Sequence, residues 1–323
     1  MITATSIHEL NELYCLDKVV LACGVFDGVH RGHRRILETL LKLAEETGAA
    51  PVTVTFDPHP RAVLMPENPP RPLTVREQKL RLLKELGIAA TVFLPFSRAM
   101  AALDPNAFVE TNLLPPDVTV CGICVGAGWR FGSRGSGDTV LLSRIGRHWG
   151  FKVNSVSELA LYGKPVSSTR IRAAVTEGKL SLARRLLGRP YSVFGHVAHG
   201  QGLGETEFHC PTANLMDEQI VLPPCGVYVA RGRVFDGDSM LTRDGIVYVG
   251  NAPTLRGPAV PSVAPIVELH LFELHQDLYG KAVEVEFLEF LRADQVFRSR
   301  AALSRQIQRD IAKAHQILAA EDH

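Results

Sequence analysis

Two histidines set three residues apart mark the stretch from Val20 to His33, which reads VLACGVFDGVHRGH. An apolar run ends there in a glycine-rich turn, and Leu37 and Leu40 then follow at helical spacing. The stretch predicts a strand, a tight turn and the start of a helix, with His30 and His33 one turn apart on one helix face. A helix N-terminus attracts anions, and imidazole donates to phosphate oxygens without a fixed charge. We therefore expect phosphate binding here.

A glycine-rich stretch with aromatic and basic residues, AGWRFGSRGSGD, runs from Ala127 to Asp138. Its glycines would let the backbone approach a phosphate or a flat ring closely. Trp129 could stack on such a ring, and Arg130 could pair with a phosphate. The alternative is an ordinary solvated surface loop.

A capped helix is predicted in PVSSTRIRAAVTEG, from Pro165 to Gly178. Ser168 lies at its start, and its first turn presents Thr169 and Arg170. Hydroxyl and guanidinium groups at a helix N-terminus can form an anion site. The alternative is a capped surface helix without a ligand.

The elements that would position these residues alternate between strand and helix through residues 1–188. This rhythm predicts a parallel sheet with helices on both faces, in which ligands bind beyond the carboxyl ends of the strands. One strand, in PVTVTFDPHP, ends at Asp57 and His59. The other predicted elements are helices over residues 75–86, 105–113 and 140–150 and strands in ATVFLPF, VTVCGICVG and FKVNSVSEL.

A second domain is predicted over residues 189–323, where short strands with alternating polarity replace the earlier rhythm. Their spacing and turn residues are typical of an antiparallel barrel or sandwich. A last helix over residues 300–318 repeats apolar side chains on one face and would close this domain.

Composition excludes several classes of protein. The chain has 323 residues, 35 basic and 34 acidic, so its formal net charge of +1 argues against a nucleic-acid-binding protein. No apolar run reaches the ~18 residues that span a membrane, and the N-terminus lacks the features of a signal peptide. We expect a cytoplasmic protein, a monomer or a weak homo-oligomer, with its six cysteines reduced. Cys121 and Cys124 form a CxxC pattern but are expected to be strand and turn residues.

The first domain resembles the adenylyltransferase half of the bacterial bifunctional riboflavin kinase/FAD synthetase family, since GVFDGVHRGH, TFDPHP, a WRFG loop and SSTRIR occur in that family's order. The resemblance implies an α/β nucleotidyltransferase domain with a Rossmann-like parallel sheet. It implies catalysis by His30 and His33, with ATP phosphates and flavin bound nearby. The implied ATP-binding residues are Gly24, Phe26, Asp27, Ser168, Thr169 and Arg170, and the implied flavin-binding residues are Asp57, His59, Trp129 and Arg130. The loop departs from the family pattern at Gly128 and Trp129.

The second domain resembles the riboflavin kinases of the same family, which implies a riboflavin-kinase-like β-barrel with a C-terminal helix. CPTAN is similar to the family's PTAN motif, so the resemblance assigns Mg²⁺ and ATP phosphates to Thr212 and Asn214. IVELHLFE is similar to the strand that carries the family's general base, which falls on Glu268. The chain departs where GETEFHC precedes PTAN, with Glu205 at a basic position and Phe208-His209-Cys210 replacing Gly-Phe.

The predicted function is bifunctional flavin cofactor synthesis, in which ATP phosphorylates riboflavin to FMN and then adenylylates FMN to FAD. The small-molecule partners would be ATP, riboflavin and FMN, with Mg²⁺ as the metal. The departures around Glu205 leave two alternatives, an FMN adenylyltransferase with a degenerate kinase domain or a flavin-binding regulatory protein. Another nucleotidyltransferase of the same superfamily is a further alternative, against which TFDPHP and the second domain argue.

Overall fold

A computed structural model of the chain describes residues 1–198, 213–216, 220–237, 239–250, 265–274, 276 and 278–321. Contacts divide the chain into two compact units. The first comprises Met1–Arg71 and Arg76–Ser168, and the second comprises Pro72–Val75 and Thr169–His323. The division falls at residue 168, whereas the predicted boundary follows Gly188, which stays a prediction.

The first unit contains a six-stranded parallel sheet, as predicted. Its order is β1-β4-β3-β2-β5-β6, and each neighbouring pair runs parallel. The strands are β1 (Ile2–Ala4), β2 (Lys18–Cys23), β3 (Ala50–Asp57), β4 (Ala90–Pro95), β5 (Thr119–Gly126) and β6 (Lys152–Val156). The chain moves outward from β2 through β3 to β4 and then returns to β5 on the other side of β2. The carboxyl end of β2 is therefore the topological switch point, where sheets of this type bind ligands.

Helices cover both faces of the sheet. Alternate residues of β2 serve different cores, because successive strand side chains point to opposite faces. Leu21 packs in one core with Val52, while Val20 and Ala22 pack in the other with Leu37. The helices of this part of the chain are α1 (His8–Tyr14), α2 (Arg31–Thr47), α3 (Pro60–Leu64), α4 (Arg76–Glu85), α5 (Arg98–Ala101), α6 (Pro105–Leu113) and α7 (Thr139–Trp149).

Local capping explains several helix starts. Asp104 accepts a hydrogen bond from the backbone N–H of Asn106 at 2.8 Å, and Pro105 fills the first position of α6. Asp138 accepts one from the N–H of Leu141 at 2.9 Å at the start of α7. After β6 come a short hairpin of β7 (Ala160–Leu161) and β8 (Lys164–Pro165) and the helices α8 (Ser168–Thr176) and α9 (Leu180–Leu187).

The second unit contains a closed antiparallel barrel of six strands, as predicted. The barrel order is β10-β13-β12-β11-β14-β9. The strands are β9 (Tyr191–Ala198), β10 (Ala213–Met216), β11 (Gly226–Asp236), β12 (Ser239–Gly250), β13 (Ile266–Leu271) and β14 (Ala282–Ala293), and the last helix is α10 (Arg300–Glu321).

The two faces of each barrel strand have different roles. Leu269 and Leu271 of β13 fill the interior and lie so close to Gly232 of β11 that a Cβ at position 232 would be 2.6 Å from Leu271. On the outer face, Val227 and Ile246 pack in one core cluster with the side chains of α10. Alternating burial along the strands therefore gives one core inside the barrel and another beneath the last helix.

A buried ion pair fixes α10 to the barrel. The Arg292 guanidinium donates to the Asp310 carboxylate at 2.8 Å, and Asp310 is only 4% exposed. Gln306 donates to the other carboxylate oxygen at 2.9 Å. Both oxygens of a buried carboxylate are thus satisfied, as burial of a charge requires.

Within the described ranges, no helix combines the length and the apolar character needed to cross a membrane. Cys121 and Cys124 both lie in β5, and the described cysteines are free thiols.

Candidate active sites

The turn after β2 is held from two neighbouring elements. Gly24 donates its N–H to the carbonyl of Val54 on β3 at 3.0 Å. The carbonyl of the following residue, Val25, accepts two hydrogen bonds, one from the Thr55 hydroxyl and one from the Lys79 ammonium, each at 3.1 Å. This turn therefore begins from a fixed position at the carboxyl end of β2.

The turn itself is strained. Phe26, Gly28 and Val29 have φ values of +50°, +79° and +38°. Residues with side chains rarely adopt this left-handed region, at a cost of about 1–3 kcal/mol each. Phe26 and Val29 are fully buried, so packing holds the conformation. Such strain is typical of functional sites, and here the strained turn leads directly into α2.

His30 caps α2 through its ring. Its Nδ1 accepts a hydrogen bond from the backbone N–H of His33 at 3.2 Å. Because an N–H can only donate, Nδ1 carries no proton, and the proton of the neutral ring lies on Nε2. His30 is 5% exposed, and its ring stacks on that of His33 with centroids 3.5 Å apart. The predicted pair is therefore one stacked unit in which His30 presents an Nε2–H donor.

His33 is held neutral. Burial lowers the pKa of His33 well below its usual 6.5, and the charges of His30 and Lys79 lower it further. Its Nδ1 atom is buried and has no hydrogen-bond partner among the described residues. The ring edge also contacts Phe26 in a T-shaped arrangement at 5.3 Å. At neutral pH the ring can therefore act as a neutral hydrogen-bonding group.

The N-terminus of α2 suits an anion. The helix has 17 residues and no acidic residue in its first turn. A Cβ at Gly32 would lie 3.1 Å from two atoms of the His30 ring, so a side chain there would crowd the histidine. The helix dipole and unpaired N–H groups at such an end favour negative charge.

Ser168 joins α8 to the same turn. Its hydroxyl donates to the backbone carbonyl of Asp27 at 2.9 Å, and Asp27 is 3% exposed. The structure thus brings the predicted Ser168 and the Gly24–His33 stretch together. Thr169 and Arg170 follow in α8 but belong to the other contact unit, so their assignment to ATP phosphates stays a prediction.

Asp57 and His59 lie at the carboxyl end of β3, next to the end of β2, as predicted. The Asp57 carboxylate accepts from Arg76 at 3.1 Å, and both side chains are about half exposed. His59 caps α3 by accepting the N–H of Arg61 at 3.0 Å. Both side chains already have protein partners, which hold them at this edge of the sheet.

The loop over residues 127–138 is held together by ring stacking and backbone hydrogen bonds between its own residues. Trp129 is partly buried and stacks on Phe131 with centroids 4.6 Å apart. Phe131 exchanges two backbone hydrogen bonds with Gly137, which closes the loop. Arg130 is exposed, with its guanidinium 3.6 Å from Asp138. One face of the indole thus packs on protein, and contact of Trp129 and Arg130 with flavin stays a prediction.

A second group of predicted residues meets on the barrel. Asn214 of β10 lies directly opposite Glu268 of β13, and Glu268 lies opposite Tyr248 of β12. Residues directly opposite each other present their side chains on the same face. Tyr248 packs against the cluster beneath α10, so this face is the outer one. The Asn214 carbonyl oxygen is buried without a hydrogen-bond partner in the described part of the chain.

Other kinase residues fall outside the described residues. These are Thr212, Glu205 and the segment Phe208-His209-Cys210. Within the part that is described, no group of three or more His, Cys, Asp or Glu side chains could hold a metal ion. Asn214 and Glu268 nevertheless present amide and carboxylate oxygens, the ligand type that Mg²⁺ prefers.

Comparison with known proteins identifies the family. Residues 14–170 match the FAD synthetase family model, and residues 187–318 match the riboflavin kinase family model. The bifunctional riboflavin kinase/FMN adenylyltransferase of Escherichia coli K12 is 34% identical over 310 residues, covering 96% of each chain. The chain belongs to this family. The Bacillus subtilis 168 protein of the same name is 32% identical over 301 residues and covers 92% of each chain.

A solved structure shares the fold of this chain. The crystal structure described as that of a macrolide-efflux protein from Streptococcus pneumoniae matches with a TM-score of 0.80 at 27% identity. It covers 96% of this chain and 97% of that one. The description applies to that protein, and the likeness supports an α/β domain followed by a barrel.

The predicted family, fold class and bifunctional activity are confirmed for this member of the riboflavin kinase/FMN adenylyltransferase family. The two alternatives, a degenerate kinase and a regulatory flavin-binding protein, gain no support. Flavins and ATP are the substrates that these activities imply.

Sequence reasoning missed Thr55 and Lys79, the two donors to the Val25 carbonyl. Thr55 sits within an apolar strand and looks like an ordinary β-branched residue. Lys79 carries a weak signal, because it precedes the fully buried Leu83 by four residues and so shares a face of α4 with the core.

Proposed function

We propose that this chain makes FMN and FAD at two separate sites, one in each of the two regions that match the family models. In the first, a phosphate oxygen of FMN attacks the α-phosphorus of ATP, a bond to that phosphorus forms, and pyrophosphate leaves. No protein nucleophile takes part. The protein aligns two anions and stabilises the charge on the leaving group. The observation that carries this proposal is the stacked His30–His33 pair at the switch point, in which burial holds His33 neutral.

His30 and His33 would contact the ATP phosphates. The proton of the neutral His30 ring lies on Nε2, because its Nδ1 accepts a hydrogen bond from the N–H of His33. The backbone of Gly24, Phe26 and Asp27 would lie under the nucleotide. Ser168, Thr169 and Arg170 would hold the β- and γ-phosphates at the start of α8.

The flavin end of FMN would be bound at the neighbouring strand end. Asp57 and His59 are fixed there by Arg76 and by α3. Trp129 and Arg130 would approach from the loop over residues 127–138, where the indole offers its remaining face to a flat ring.

In the second unit, Glu268 would act as the general base. Its carboxylate would take the proton of the terminal ribityl hydroxyl as that oxygen attacks the γ-phosphorus of ATP, with ADP leaving. Thr212 and Asn214 would hold Mg²⁺. The fit of Asn214 rests on its buried carbonyl oxygen, which has no hydrogen-bond partner among the described residues and is a hard ligand opposite Glu268. When bound, Mg²⁺ would offset the charge of the phosphates.

We further propose that the protein acts in the cytoplasm as a monomer or a weak homo-oligomer. The free thiols of the described cysteines support the cytoplasmic assignment.

A product assay tests the proposed function. The chain is incubated with ATP and Mg²⁺ together with riboflavin in one tube and FMN in another, and flavins are separated by chromatography. We expect FAD in both tubes. FAD from FMN alone would contradict the kinase half, and no FAD in either tube would contradict both halves.

A further inference from the structure

Lys79 is a partly buried cation that lies beside the turn after β2. Lys79 of α4 donates to the carbonyl of Val25 at 3.1 Å, and this is its one hydrogen bond within the described residues. An ammonium group has three donors, so two remain for other acceptors.

Lys79 also lacks a close counter-ion. In the part of the chain that the structure describes, no carboxylate lies within 4.0 Å of its ammonium. Asp27 and Asp57 act on it from longer range, and Arg76 adds charge of the same sign. Burial outweighs these carboxylates, and the pKa of Lys79 is lowered. A buried cation that is not paired costs free energy, which a bound anion would recover.

The position of Lys79 indicates which anion it could bind. Its ammonium is hydrogen-bonded to the turn of β2, and its charge acts on His33, the nucleotide-side residue. About one turn earlier in α4, the Arg76 guanidinium pairs with Asp57 at 3.1 Å, at the end of β3 on the proposed flavin side. α4 therefore contacts both the turn after β2 and the end of β3, and the proposed reaction brings the phosphate of FMN to the α-phosphorus of ATP at this edge of the sheet.

We propose that the Lys79 ammonium binds the phosphate group of FMN and positions it for attack on ATP. This inference rests on the proposed adenylyl transfer in the first unit. A cation between the reactants reduces the repulsion between two anions. It also makes the phosphate of the acceptor flavin a recognised group, so that the site selects FMN over riboflavin.

The test compares Lys79→Met with two controls in the full-length protein. Thr55→Val removes the other hydrogen bond to the Val25 carbonyl, and Lys84→Met removes an exposed cation from the same helix. Because a hydrogen bond to a charged group contributes ~1.5–3 kcal/mol, we expect Lys79→Met to raise the KM for FMN about ten- to a hundredfold. The KM for ATP, riboflavin phosphorylation and the kinetics of the Lys84→Met control should stay within about twofold of the wild-type values, and Thr55→Val should raise the KM for FMN less than Lys79→Met does.

Two further readouts separate binding from a structural role. A methionine removes a partly buried cation that has no carboxylate within 4.0 Å among the described residues, so ligand-free Lys79→Met should melt at or above the wild-type temperature. In the wild type, the KM for FMN should rise with pH as Lys79 loses its proton, at a lower pH than an ordinary lysine would. In Lys79→Met this rise should be absent.

Several results would overturn the proposal. These are a KM for ATP that rises in place of the KM for FMN, an equal loss in Thr55→Val, or unchanged kinetics in Lys79→Met. If Lys79→Met does not fold, the wild type alone provides the test. A KM for FMN that stays constant as the pH becomes alkaline would then overturn the proposal. Failure of the wild type to form FAD from FMN would instead count against the proposed function.

Discussion

The stacked pair His30–His33 shows how single residues set the chemistry of the first unit. One ring nitrogen of His30 is used as a helix cap, which leaves the other as a donor. Two stacked imidazoles at 3.5 Å cannot both carry charge at low cost, and burial adds to that penalty. With His33 neutral, the pair is suited to hold phosphate oxygens through hydrogen bonds.

The lowered pKa of His33 predicts a pH dependence of stability. The folded pKa lies below the unfolded value of about 6.5, so the unfolded state binds more protons in acid. Stability due to His33 is fully present above pH ~6.5 and is lost as pH falls toward the folded pKa. Between pH 7.5 and 5.5, the free energy of unfolding should fall by about 1 kcal/mol more in the wild type than in His33→Gln.

Tryptophan fluorescence during urea unfolding measures this effect, because both tryptophans, Trp129 and Trp149, lie in the first unit. His148→Gln, a change at an exposed histidine, is the matched control and should keep the wild-type pH dependence. The same fall in His33→Gln as in the wild type would show that His33 does not titrate in the predicted way.

At the scale of elements, the loop over residues 127–138 depends on glycines where other elements approach it. Gly132 has a φ of +67°, and a Cβ there would lie 2.7 Å from the Cα of Pro105, the first residue of α6. Gly48, the C-cap of α2, has a similar φ of +63° but nothing within 4 Å of its Cβ position.

The two glycines should respond differently to alanine. Gly48→Ala should lower the free energy of unfolding by about 1 kcal/mol, the cost of a left-handed alanine. Gly132→Ala should lower it by about 3 kcal/mol, because the clash with Pro105 is added. Urea unfolding followed by tryptophan fluorescence tests both variants. Equal effects would mean that the contact between this loop and α6 does not constrain the loop.

Local sequence signals predicted some elements well. The helix over residues 105–113 has the predicted bounds, because Asp104 caps it and Pro105 fixes its first turn. The helix predicted over residues 75–86 is α4, Arg76–Glu85. These signals lie within a few residues of the element that they define, so they can be read without the fold.

Features that depend on distant pairing could not be predicted. The edge strand β1 has three residues, and only its pairing with β4 makes it a strand. The sequence indicated Asn214 and Glu268 separately as site residues. That they form a cross-strand pair depends on the register of β10 against β13. Likewise, the donation from Lys79 to Val25 joins residues 54 positions apart.

The whole molecule joins an α/β unit and a barrel in one chain, and α8 lies at their division. Contacts separate the units after Ser168, whereas the predicted boundary follows Gly188. If Thr169 and Arg170 bind ATP phosphates, a fragment of residues 1–188 should form FAD from FMN and ATP. A fragment of residues 1–168 should lose that activity by orders of magnitude. Activity in the shorter fragment would exclude both residues from the reaction.

The most direct test of two separate sites is the flavin product made from riboflavin, ATP and Mg²⁺ by His33→Ala and Glu268→Gln. We predict that His33→Ala accumulates FMN with FAD formation reduced by orders of magnitude. Glu268→Gln should leave riboflavin unchanged yet still convert added FMN to FAD. Loss of both reactions in either variant would contradict the account.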